Sequence, residues 1–131
     1  MKTNLTIAAF FLLCSFQVLA QADLKTTMAE LGKSNKIVAL SIMKENLISD
    51  ETIAHANKVL AGLEIAQNQK PSIPGADLEA YKKSMAATIL LYKQLIVEME
   101  AEKNKADVSK SKAQLQKVLA AQKAAHAQFK E

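Results

Sequence analysis

The chain has 131 residues, a formal net charge of +4, no arginine, no tryptophan and one cysteine, Cys14. That size supports a single domain with one core, and one cysteine excludes a disulfide framework. A nucleic-acid binder would be expected to use arginine forks on phosphates and guanines, so the positive balance points instead to solubility or to steering towards an acidic partner.

The first 22 residues read as a secretory signal peptide. Lys2 supplies the charged start, Leu5 to Phe16 the apolar run, and Ala20 or Ala22 the small residue before cleavage. The apolar run is too short to span a bilayer. Residues 23–131 then form one domain that keeps 16 lysines against 13 acidic residues. Export without a thiol or a lipid anchor points to the periplasm.

From there apolar residues recur in steps of three and four, the signature of amphipathic helices. A first helix carries Leu24, Met28, Leu31, Val38 and Ile42, with Asn35 interrupting the stripe. A second, capped by Ser49 or Asp50, carries Ile53, Leu60, Leu63 and Ala66. Pro71, Pro74 and Gly75 end it, since proline cannot continue a helix. A third starts near Asp77 and carries Leu78, Tyr81, Met85, Ile89, Tyr92, Leu95, Ile96 and Met99. Glu98, Glu100 and Glu102 read as its solvated end, and the tyrosine hydroxyls are expected to reach the surface. Asn104 or Asp107 can cap a fourth helix carrying Val108, Leu115, Leu119, Gln122, His126 and Phe129. Four helices of roughly 20 residues with short connections predict an all-α, antiparallel up-down-up-down four-helix bundle.

In that topology the first and last helices run antiparallel, and Met28 and His126 fall at nearly the same depth, facing one another. Either residue alone is ordinary packing or a half-exposed histidine. Together, a thioether and an imidazole within an apolar bundle suit the two axial positions of a haem iron. His55 near the start of the second helix is given no role. A di-iron Glu-x-x-His pattern, a zinc-ligand spacing, a nucleophilic triad motif and a Gly-rich phosphate loop are all missing from the sequence.

The start Ala22-Asp23-Leu24, then Met28 and Leu31, resembles the mature start of the soluble cytochrome b-562 family. The 58–74 stretch with its prolines resembles that family's second helix and crossing loop, and Ala125-His126-Ala127-Gln128-Phe129-Lys130 its closing turn. The likeness runs over residues 23–131. It implies Met28 and His126 as axial and metal ligands, with Leu24, Leu31, Tyr81, Met85 and Phe129 lining one haem b per chain. Gly32, Gln122 and Met85 depart from the polar, basic and aromatic residues expected there. Covalent attachment requires Cys-x-x-Cys-His; the residues before His126 are Gln122-Lys123-Ala124-Ala125, so the haem would be non-covalent.

The expected function is electron transfer by a periplasmic monomer, not an enzyme, acting with a redox protein partner and with neither nucleic acid nor membrane. Two alternatives stand beside it. One is a haem-free periplasmic bundle that binds partners through an apolar groove. The other is a haem protein with a labile Met28 that binds gases.

Overall fold

The computed structural model describes residues 24–69 and 77–129, with side chains from 26 to 69 and from 77 to 128. The expected signal peptide, the proline-containing 70–76 stretch and the side chains of Leu24 and Phe129 lie outside the described residues. The described chain forms four helices and no strand: α1 Leu24–Met43, α2 Asp50–Gln67, α3 Leu78–Glu102 and α4 Ser109–Phe129.

Local chemistry sets where each helix starts. Ser49 and Thr52 make a reciprocal capping box, each side chain accepting the other's backbone N–H. Asp77 Oδ1 accepts from the N–H groups of Glu79 and Ala80 and opens α3. Asn46 adopts φ 54° where the chain leaves α1, and Asn104 adopts φ 59° after α3. Asparagine tolerates this left-handed region better than most residues.

The start of α4 corrects the sequence expectation. Asp107 accepts from the Ser109 N–H and hydroxyl, but the more deeply placed cap is Glu102. It is buried, not solvated, and its carboxylate accepts from Ser111 N at 2.7 Å and Lys110 N at 3.3 Å. A carboxylate at a helix N-terminus satisfies orphan N–H donors and complements the helix dipole. Glu102→Ala leaves those donors unpaired and should cost about 1–2 kcal/mol in urea unfolding. A loss below a few tenths would show that water replaces the cap at no cost.

Contacts between helices establish the topology. Asn104 N–H donates to Ile48 O at 2.8 Å, and Lys103 lies 2.9 Å from Asp50, so α3 ends where α2 begins. The Tyr81 hydroxyl donates to Ala66 O, so α3 begins where α2 ends. Gln114 Nε2 donates to Leu91 O between α3 and α4. Leu31 of α1 packs on Gly62 of α2 so closely that a Cβ at 62 would overlap Leu31 Cδ2. Successive helices are therefore antiparallel, and the bundle runs up-down-up-down. Its core is a single cluster that includes Val38, Ile42, Val59, Leu63, Tyr92, Leu95, Met99, Leu115 and Val118. Ile48 joins it from the α1–α2 loop. Leu78 lies outside it, exposed in the first turn of α3.

Both tyrosine hydroxyls are turned inward, not to the surface. Tyr92 donates to Asn35 Oδ1, and Tyr81 caps the end of α2 through Ala66 O. Burial pushes the Tyr81 phenol up to about 12 from 10.0 and raises the Tyr92 phenol as well. Below the unfolded value near 10 both phenols stay neutral in either state, and their contribution is intact. As pH rises from about 10 towards 12, the unfolded chain releases protons first and stability falls. The slope is about 1.4 kcal/mol per pH unit for each phenol. Urea midpoints measured at pH 9 and 11 check this, and Tyr92→Phe should roughly halve the slope. Midpoints that do not move would contradict the burial of the phenols.

Candidate functional site

The start of α1, the end of α2, the start of α3 and the end of α4 share one end of the bundle. There the interior stripe of α1 behaves unlike the rest. Leu24, Met28, Leu31, Asn35, Val38 and Ile42 recur in steps of four and three, a core-facing spacing. Leu31, Val38 and Ile42 are buried, yet Met28 is 41% exposed. On α4, Leu115 and Val118 are fully buried, Gln122 is half-buried and His126 is exposed. On α1 cover is kept at that end by buried Thr27, so the core-facing side there runs through Thr27, Leu31 and Ser34 with Met28 on its flank, whereas α4 is less covered beyond Gln122. The α1–α4 seam is also the most sparsely packed of the four between neighbouring helices.

A polar clasp marks where that opening starts. Asn35 Nδ2 donates to Gln122 Oε1 at 3.0 Å, and the Tyr92 hydroxyl donates to Asn35 Oδ1 at 3.2 Å. The clasp ties α1, α3 and α4 together and explains Asn35, which interrupts an otherwise apolar stripe. It also fixes the register of the two outer helices. Met28 lies seven residues before Asn35, and His126 four residues after Gln122. At a rise of about 1.5 Å per residue they stand about 10 and 6 Å beyond the clasp. They therefore share the open end but are offset along the axis by about 4–5 Å. The level opposite His126 is that of Leu31, and the level opposite Met28 is that of residue 129.

The expected lining divides. Leu31, Tyr81 and Met85 are buried at this end and close it from α1 and α3. Leu24 and Phe129 belong to it by position in the sequence. Met28 and His126 are accessible, and among the described residues the His126 ring makes no hydrogen bond. An accessible thioether and imidazole above buried Leu31, Tyr81 and Met85 are side chains that an inserted group could reach. Thioether plus imidazole is a donor set that suits iron in a haem, so the residues present fit that group.

Three features were not legible beforehand. A cavity of about 530 Å³ opens between α1 and α2, lined by Leu31, Ser34, Lys58, Ala61, Gly62 and Ile65 among others. It exists because α2 presents small residues to α1. His55 is half-buried with Nδ1 enclosed and unpaired, and among the described residues no group of three or more His, Cys, Asp or Glu gathers to hold a metal ion. Ser111 Oγ, beneath the Glu102 cap, is likewise enclosed and unpaired. An amphipathic pattern locates a helix face, but it does not report the width of the groove beside that face. Comparison of the chain with protein-family models, with curated proteins and with solved structures finds no match.

Proposed function

We propose that this protein is a periplasmic electron carrier of the cytochrome b-562 kind, holding one non-covalent haem b between Met28 and His126. One observation carries the reading. A thioether and an imidazole sit on adjacent antiparallel helices and are both accessible at one end of the bundle. The resemblance of the 22–31 and 125–130 stretches to that family supports the same pair.

When bound, the haem supplies one-electron exchange between ferric and ferrous iron. The chain's own residues do the rest. His126 would offer a ring nitrogen and Met28 its sulfur to hold the group, and two protein ligands would favour a carrier over an enzyme. The soft thioether favours the ferrous state and so raises the potential. Leu31, Tyr81 and Met85 exclude water from beneath, and the Asn35–Gln122–Tyr92 clasp holds the two ligand helices in register.

Titration of the purified protein with haemin, followed in the Soret region, tests the reading. One equivalent should bind and give a low-spin spectrum. Met28→Ala should still take up one equivalent, with altered spin state and a potential lower than the parent's. An unchanged spectrum in that variant would remove Met28 from the site. The α1–α2 cavity favours a second reading, a haem-free bundle that takes an apolar ligand in that groove. It predicts no Soret band at any haemin concentration.

A further inference from the structure

The lysines of this chain are unevenly placed. Helix α1 carries Lys25, Lys33 and Lys36 against Glu30 alone, and α4 carries Lys110, Lys112, Lys117 and Lys123 with no acidic residue. Helix α2 has three acidic residues against one lysine, and α3 has four against three. One pair of adjacent helices is strongly basic, and the opposite pair is mildly acidic. The single acid of α1, Glu30, lines the α1–α2 cavity and pairs with Lys33 at 3.5 Å, so it does not neutralise the α4 side.

The basic pair is the one that forms the open seam. On α4, Lys112, Gln116, Leu119, Lys123 and His126 follow one another in steps of four and three, which puts them on one face. On α1, Met28, Gly32 and Lys36 step by four. Gly32 adds no bulk, and a Cβ there would meet nothing within 4 Å. Along the seam Met28 and Gly32 lie on one side of the Asn35–Gln122 pair and Leu119 on the other, with exposed Lys36 on α1 and Lys123 on α4 beside that pair. Small and apolar residues interspersed with uncompensated lysines leave a surface complementary to acidic groups. The two most exposed aliphatics of the bundle, Leu90 at 67% and Val97 at 58%, belong to α3, on the acidic side. Basic α1 also exposes Met28, Ile37, Leu40 and Met43, so a bilayer is kept as an outcome of the test below.

We infer that the α1–α4 seam is the docking surface for an acidic protein partner, which the uncompensated lysines steer onto the Met28–His126 end. This names the partner chemistry of the proposed carrier site and so rests on that reading for its purpose. The test itself needs no haem, so a failure to dock and a failure to load haem are observed separately.

Poly-L-glutamate is titrated into isotopically labelled protein and followed by backbone amide shifts. Perturbations should concentrate on residues 28–36 and 119–127 and spare the exposed face of α3. They should weaken by about tenfold in apparent affinity between about 20 mM and 0.3 M salt. The K36E/K123E double variant alters two exposed side chains and should keep full helicity while losing the seam perturbations. Shifts spread evenly over all lysines, or unchanged in that variant, would overturn the inference. So would co-sedimentation with phosphatidylglycerol vesicles that persists at 0.3 M salt, which would assign the surface to a bilayer.

Discussion

Replacing His126 by alanine is expected to leave an intact bundle that no longer retains haem. The ring is exposed and makes no hydrogen bond among the described residues, so its removal should change the stability of the haem-free protein by no more than about 0.5 kcal/mol. Its loss from the proposed haem site would be a different matter. Removing even an outer-shell partner of a metal ligand typically lowers affinity by about 10–100-fold. Loss of the ligand itself should exceed the upper end of that range. Haemin titration paired with urea unfolding of the apo variant separates the two effects. Parental haem affinity in H126A would contradict the site, and a strongly destabilised apo protein would show that His126 is a packing residue after all.

Tyr92→Ala is expected to produce the largest change in stability. Tyr92 is fully enclosed in the core, and its hydroxyl anchors the amide that bridges α1 to α4. Truncating a buried aromatic to alanine costs about 3–5 kcal/mol through lost transfer energy and the cavity left behind. Asn35 Oδ1 loses its donor at the same time. A domain of this size has about 5–15 kcal/mol in all, so the variant should melt far below its parent or populate the unfolded state at room temperature. Tyr92→Phe keeps the ring and should cost only about 1 kcal/mol, the net value of one hydrogen bond. A loss below about 1 kcal/mol in Y92A would contradict the clasp and its place in the core.

Periodicity made the fold legible because helix burial follows residue spacing directly. Val38, Ile42, Leu63, Met85, Tyr92, Leu95 and Leu115 are buried where steps of three and four put them. Ser49 and Asp77 cap their helices because a short oxygen-bearing side chain reaches the next N–H groups wherever the chain turns. What failed depended on partners distant in sequence. Glu102 looks like one more carboxylate at a solvated helix end until α4 folds back and presents Ser111 N–H to it. Tyr92 looks like a ring with its hydroxyl in water until Asn35, 57 positions away, supplies an acceptor. Spacing did place Met28 and His126 at one end of the bundle, and there the structure has them. The exposure of Met28 was not legible, because stripe position predicts its burial, whereas α1 turns Thr27, Leu31 and Ser34 to the core at that end. The three-residue offset between Met28 and His126 likewise required the Asn35–Gln122 hydrogen bond that fixes the register.

The central claim is that Met28 and His126 together hold a haem. Its most direct test is the absorption spectrum of the haemin-loaded, dithionite-reduced protein, recorded before and after carbon monoxide. Sharp, split low-spin bands that carbon monoxide leaves unchanged are predicted, since Met28 and His126 would both hold the iron. Rapid conversion to a carbon monoxide complex would contradict Met28 as a stable ligand, and the lack of any Soret band would contradict the haem site altogether.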